Sequence, residues 1–168
     1  ILLRASWLLS WAGYDEVGKG RWTARRRGHA LPTRREIEAE RRAAILRVDE
    51  LRDSHAAHRR RLLGVCNGAL SADERDALDS APVVAVSHCW ETPHHADPEG
   101  RTCAAVAAHL AGTWDGEAPT SGLPLYRAWG FTEVGVFIDW SCVYRPADEE
   151  EDESDDGVGG VDGGPPRL

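Results

Sequence analysis

Two short strings carry the side chains best suited to chemistry. Ser87-His88-Cys89-Trp90-Glu91 offers a hydroxyl, an imidazole, a thiol and an indole, and Asp139-Trp140-Ser141-Cys142 adds a carboxylate and a second thiol. Three chemistries use such sets. Cys89, His88 and Asp139 are the residue types of a nucleophile, its base and an orienting acid. Neighbours on an extended strand point to opposite faces, however, so His88 is poorly placed to activate Cys89. His88 or Cys89 together with His94, His95 and Cys142 have the ligand chemistry of zinc, without a recognised spacing. Trp90 and Trp140 read as packing residues or as platforms for a nucleotide base. The catalytic candidates are therefore Cys89 and Asp139, although Asp139 reads first as an acceptor for backbone N–H groups of a nearby loop. The ligand-binding candidates are Ser87, His88, Trp90, Asp139, Trp140 and Ser141. The possible cofactors are zinc and an NAD-type nucleotide.

The elements that must position these residues are legible around them. Val83–Val86 is a short β-branched run after Pro82, and Val134 to Ile138 is a second apolar run, so both predict buried strands. Between them, Asp97-Pro98-Glu99 reads as a helix start, and Cys103, Val106, Ala107 and Leu110 form a stripe that Gly112 ends. Strand, helix, strand predicts a βαβ unit with a parallel pair. Ligands in such sheets bind beyond the carboxyl ends of the strands, where the two strings converge. Residues 112–124 read as an excursion, followed by a helical turn near Leu125 to Trp129.

Upstream, residues 1–32 read as an apolar amphipathic segment followed by a Gly-rich linker over 13–32. Thr33 and Glu36 form a capping box that opens one long charged helix over 33–64, with Ile37, Ala44, Val48, Leu51 and His55 on a thin stripe. Arg59-Arg60-Arg61 is placed in its last turn, beside the negative end of the helix dipole. Ser71 and Glu74 open a further short helix to about Asp79. The compact α/β core is expected over 66–146. From Asp148 to Asp156 eight of nine residues are acidic, and the 147–168 tail is expected to be disordered. The expected fold class is thus α/β, a partial flavodoxin-like core preceded by a long helix.

The string VVAVSHCWETPHHADPEGRT, with LPLYRAWGFTEVGVFIDWSCVY after it, resembles the S-H-x-W and D-W segments of protist proteins related to heterokaryon-incompatibility (HET) and TIR-like domains. The resemblance spans about residues 82–145. It implies a flavodoxin-like fold and a role in signalling or self/non-self response. Some TIR relatives hydrolyse NAD with a glutamate on a later helix. Here Tyr144-Arg145-Pro146 leads into the acidic run instead, no residue stands at that glutamate position, and the activity does not carry over.

Charge separates further classes. Residues 1–63 carry 15 basic and 8 acidic side chains, residues 64–147 carry 4 and 11, and residues 148–168 carry 1 and 9. This excludes a uniformly basic nucleic-acid binder. The arginines of the charged helix have no interleaved aromatics for base stacking, so nucleic acid is not the expected partner. A protein partner is, and the basic helix could dock an acidic one or the chain's own acidic tail. No run of about 18 apolar residues predicts a membrane span. Four scattered cysteines, Cys66, Cys89, Cys103 and Cys142, suit a reducing cytoplasm. The chain starts at Ile1 and has no Met, the pattern of a fragment.

Overall fold

The computed structural model describes residues 1–18, 20–65, 82–87 and 97–139. The architecture is mixed α/β around a small sheet. β7 (Gly135–Ile138) is its centre, with β4 (Val83–Val86) parallel on one side and β1 (Leu3–Arg4) antiparallel on the other. The register pairs Val83 with Gly135 and Val86 with Ile138, so the expected parallel pair is present. β7 is buried, as its apolar run predicts. β4 is not covered on both faces: Val83 is 37% exposed and Val84 and Val86 are half-buried. The reason is position: among the described residues β4 is at the edge of the sheet, whereas β7 has a neighbour on each side.

The N-terminal residues belong to this core. β1 runs directly into α1 (Ala5–Trp11), which buries Leu8 and Leu9 against α4 (Arg101–Ala111). Leu3, Leu8 and Leu9 join Cys103, Ala107 and Leu110 of α4 with Val136 and Ile138 of β7. Each buried leucine contributes about 2 kcal/mol of transfer free energy. α1 has no capping side chain of its own. Glu133 substitutes, accepting from the Ser6 N–H at 3.3 Å and from the Ser6 hydroxyl.

The 13–32 stretch differs from a linker. β2 (Tyr14–Val17) and β3 (Arg21–Ala24) form a hairpin with Tyr14 opposite Ala24 and Val17 opposite Arg21. Its glycines serve close approach rather than flexibility. A Cβ at Gly13 would sit 2.3 Å from the Arg26 carbonyl oxygen, and one at Gly28 would sit 2.5 Å from that of Ala12. Gly13 also has φ +86, which side chains rarely adopt.

The single helix expected over 33–64 is three pieces. α2 (Arg34–Glu40) starts with the predicted capping box of Thr33 and Glu36, a 3-10 turn follows at Arg42–Ala44, and α3 covers Val48–Val65. Tertiary burial overrides helix propensity here. Ala44 and Leu46 are buried, Ile45 bridges to Leu3, and the Leu46 N–H donates to the Leu2 carbonyl at 2.8 Å. Glu50 then starts α3, accepting from the Arg47 N–H at 3.0 Å and from Arg4 Nη2 at 2.5 Å from each carboxylate oxygen. The Arg4 guanidinium first, and the Arg47 N–H second, hold the Glu50 carboxyl below its usual range. The broken helix also changes the stripe. Ile37 and Ala44 are buried, but Val48 is 66% exposed, and α3 turns Ser54 and His58 inward. α3 runs on to Val65, so Arg59, Arg60 and Arg61 are not in its last turn.

Gly100 (φ +73) precedes α4, and Gly112 (φ +75) ends it as expected. The excursion contains a two-residue hairpin, β5 (Trp114–Asp115) with β6 (Ala118–Pro119), and the turn after it is α5 (Gly122–Ala128). No helix among the described residues is long and apolar enough to cross a membrane. The helix expected from Ser71 and the 147–168 tail lie outside the described residues.

Candidate functional site at the strand ends

The register that pairs Val86 with Ile138 brings the next residues, Ser87 and Asp139, to the same level at the carboxyl edge of β4 and β7. Ser87 is exposed and Asp139 half-buried. Of the sequence-predicted site residues these two are described. His88, Cys89, Trp90, His94, His95, Trp140, Ser141 and Cys142 lie outside the described residues. The catalytic pairing of Cys89 with Asp139 and the zinc set therefore have no geometry here. Among the described residues no group of three or more His, Cys, Asp and Glu side chains could hold a metal ion.

Asp97 stands just ahead of α4, the helix that lies between β4 and β7 in the chain. Its side chain is fully buried at the start of α4. One carboxylate oxygen accepts from the Thr102 N–H at 2.8 Å and the other from the Cys103 N–H at 3.0 Å. Its carbonyl also accepts from the Gly100 N–H at 3.2 Å. The sequence reading made Asp97 an N-cap next to a first-turn proline. The structure instead sets it on a turn ahead of Gly100, from which it reaches the N–H groups of Thr102 and Cys103 rather than those of the next two or three residues. Helix N-termini bind phosphates through such N–H groups and the helix dipole. At α4 a carboxylate of the chain itself holds them.

Cys103 lies next to it, 1% exposed. Burial, and secondarily the Asp97 charge, pushes its thiol up to about 12. A thiolate is the nucleophile and the metal ligand, so this cysteine is an inert packing group at neutral pH.

A groove of about 420 Å³ opens alongside, lined by Val84, Val86 and Ser87 of the β4 segment and by Val106, His109 and Leu110 of α4. Its apolar lining follows from β4 being an edge strand. A second cleft, of about 430 Å³, lies between the two hairpins and α5. There Arg127 pairs with Glu16 at 2.8 Å, and Arg21 stands over the Trp114 ring at 4.6 Å while donating to the Gly116 carbonyl. No family model, curated protein or solved structure matches this chain.

Sequence reasoning missed a polar knot at the opposite edge, where β7 begins. The Ser54 hydroxyl donates to the Glu133 carbonyl at 2.7 Å and accepts from the Thr132 and Glu133 N–H groups. His58, one turn further along α3, lies against Phe131 with ring centroids 3.9 Å apart, its Nδ1 2.7 Å from the Trp129 carbonyl oxygen. The available signal was the four-residue spacing of Ser54 and His58, which puts both on one helix face. Every ligand they find is more than 70 residues away. His58 thus serves packing and hydrogen bonding within the fold.

Proposed function

We propose that this chain is a HET/TIR-like signalling or protein-interaction domain of flavodoxin-like type, working in the cytoplasm and not itself catalytic. The S-H-x-W and D-W strings support the family reading, and the parallel β4–β7 pair joined through α4 is the arrangement that reading requires. The observation that carries the non-catalytic part is Asp97. In open α/β sheets a dinucleotide pyrophosphate rests on a helix N-terminus at the strand ends. An anion placed at α4 would meet a buried carboxylate that already occupies the donors of Thr102 and Cys103. A domain of this kind recognises a partner through its surface rather than turning over a nucleotide there.

The test is incubation of the full chain with NAD, followed by chromatography. The reading expects nicotinamide no higher than in a chain-free control, and steady release contradicts it. Elemental analysis tests the zinc-enzyme alternative in the same preparation. One equivalent of zinc, lost on Cys89→Ser, would replace the present reading, whereas a metal-free folded chain agrees with it. The signalling part predicts that expressing the chain in eukaryotic cells slows growth and that Asp139→Ala removes the effect. Equal slowing by both chains counts against a role for the strand-end site.

A further inference from the structure

α3 has an outer face that the described residues leave open. Its inner face, Ser54 and His58, is fastened to residues 129–133. On the opposite side Val48, Arg52, Ala56, Arg59 and Leu63 follow one another at spacings of four, four, three and four, which stacks them in one stripe, with Arg60 beside it. Val48 is 66% exposed and Leu63 49% exposed, two of the large apolar side chains most open to solvent. Arg52, Arg59 and Arg60 are exposed, and none of them makes an ion pair among the described residues. Four other arginines of the same half are matched by carboxylates: Arg4 with Glu50, Arg34 with Glu38, Arg41 with Glu40 and Arg47 with Asp49.

The chain carries the complement. Residues 148–156 are acidic at eight of nine positions, with Val143 and Tyr144 before them and Val158 and Val161 after. β7 ends at Ile138. From Asp139 to Asp148 the chain can span about 30 Å, at roughly 3.3 Å for each extended residue. α3 packs against residues 129–133, a few positions before β7 in the chain. Tethering also raises the local concentration of the acidic run to the millimolar range.

We infer that the outer face of α3, through Arg52, Arg59 and Arg60, is the docking surface for the chain's own acidic segment Asp148–Asp156. The contact is electrostatic and within one chain, and it masks the exposed Val48–Leu63 stripe until a stronger acidic ligand or high salt displaces it. It does not depend on the HET/TIR-like reading or on any ligand at the strand ends.

The test places the photo-crosslinking residue p-benzoylphenylalanine at Leu63 of the full chain, an exposed site that does not enter the core. Irradiation is compared at about 0.1 M and about 1 M salt, where the screening length falls from roughly 10 Å to roughly 3 Å. The expected product is a crosslink within one chain to the peptide carrying residues 148–156. Its yield is independent of protein concentration and drops roughly tenfold at the higher salt. Arg59→Glu with Arg60→Glu should abolish it while far-ultraviolet circular dichroism stays unchanged. Replacing Glu149, Glu150 and Glu151 by Lys in that background should restore it. Crosslinks to another segment, crosslinks between two copies that grow with concentration, or a yield indifferent to salt and charge reversal would each overturn the assignment.

Discussion

β7 and β4 are two apolar tetrapeptides lying side by side in register, yet they live in different environments. Val136 and Ile138 of β7 are wholly buried, while Val83 of β4 is more than a third exposed. The difference arises far away in sequence. Leu3 and Arg4 pair with β7 from the side opposite β4, and that two-residue strand makes β7 central and leaves β4 on the rim. An apolar run therefore says that a strand forms, and the third partner decides how deep it lies. The rim strand is also the one that leads to Ser87 and borders the apolar groove.

Substitutions can break this comparison. Ile138→Ala removes a fully buried side chain from the central strand and should cost about 3–4 kcal/mol in urea unfolding. Asp97→Ala, on the turn ahead of the helix that links the two strands, leaves the Thr102 and Cys103 N–H groups without their acceptor and should cost about 2–3 kcal/mol. Cys103 gives a pH signature. Its folded thiol is raised from the ordinary 9.0 to about 12, so the folded state holds this proton more tightly than the unfolded chain. Stability from this group is complete below pH 9 and is lost as the pH rises towards 12. The urea midpoint should fall in that window, and at pH 8 iodoacetamide should modify Cys103 at least about tenfold faster in urea than in the native chain. Val83→Ala on the rim strand should change stability by less than about 0.5 kcal/mol. A cost equal to that of Ile138→Ala would place β4 in the interior and end the distinction.

What was legible in the sequence was local. The strands at Val83 and Val134, the Thr33 capping box, the α4 stripe and the Gly112 stop all rest on periodicity or on a single turn of chain, and each is present. What was hidden depends on distance. Ile45 and Leu46 leave the helical path because Leu2 and Leu3 offer a better partner, and no window around residue 45 contains that information. Gly13 and Gly28 look like linker residues until the Arg26 and Ala12 carbonyls are seen against them. Glu133 caps α1 across 127 residues of chain. At the site, the parallel register sets Ser87 and Asp139 one residue beyond the paired Val86 and Ile138. The engagement of the α4 N-terminus by Asp97 was half-visible, as an N-cap, without its depth or its consequence for anion binding.

That consequence is the most direct test of the functional reading. Amide signals of the isotope-labelled full chain can be followed by NMR while NAD is added. The account predicts that the Thr102 and Cys103 N–H resonances stay in place, because the Asp97 carboxylate holds both. A saturable movement of those two resonances would show a phosphate displacing Asp97, and the domain would have to be read as a nucleotide site.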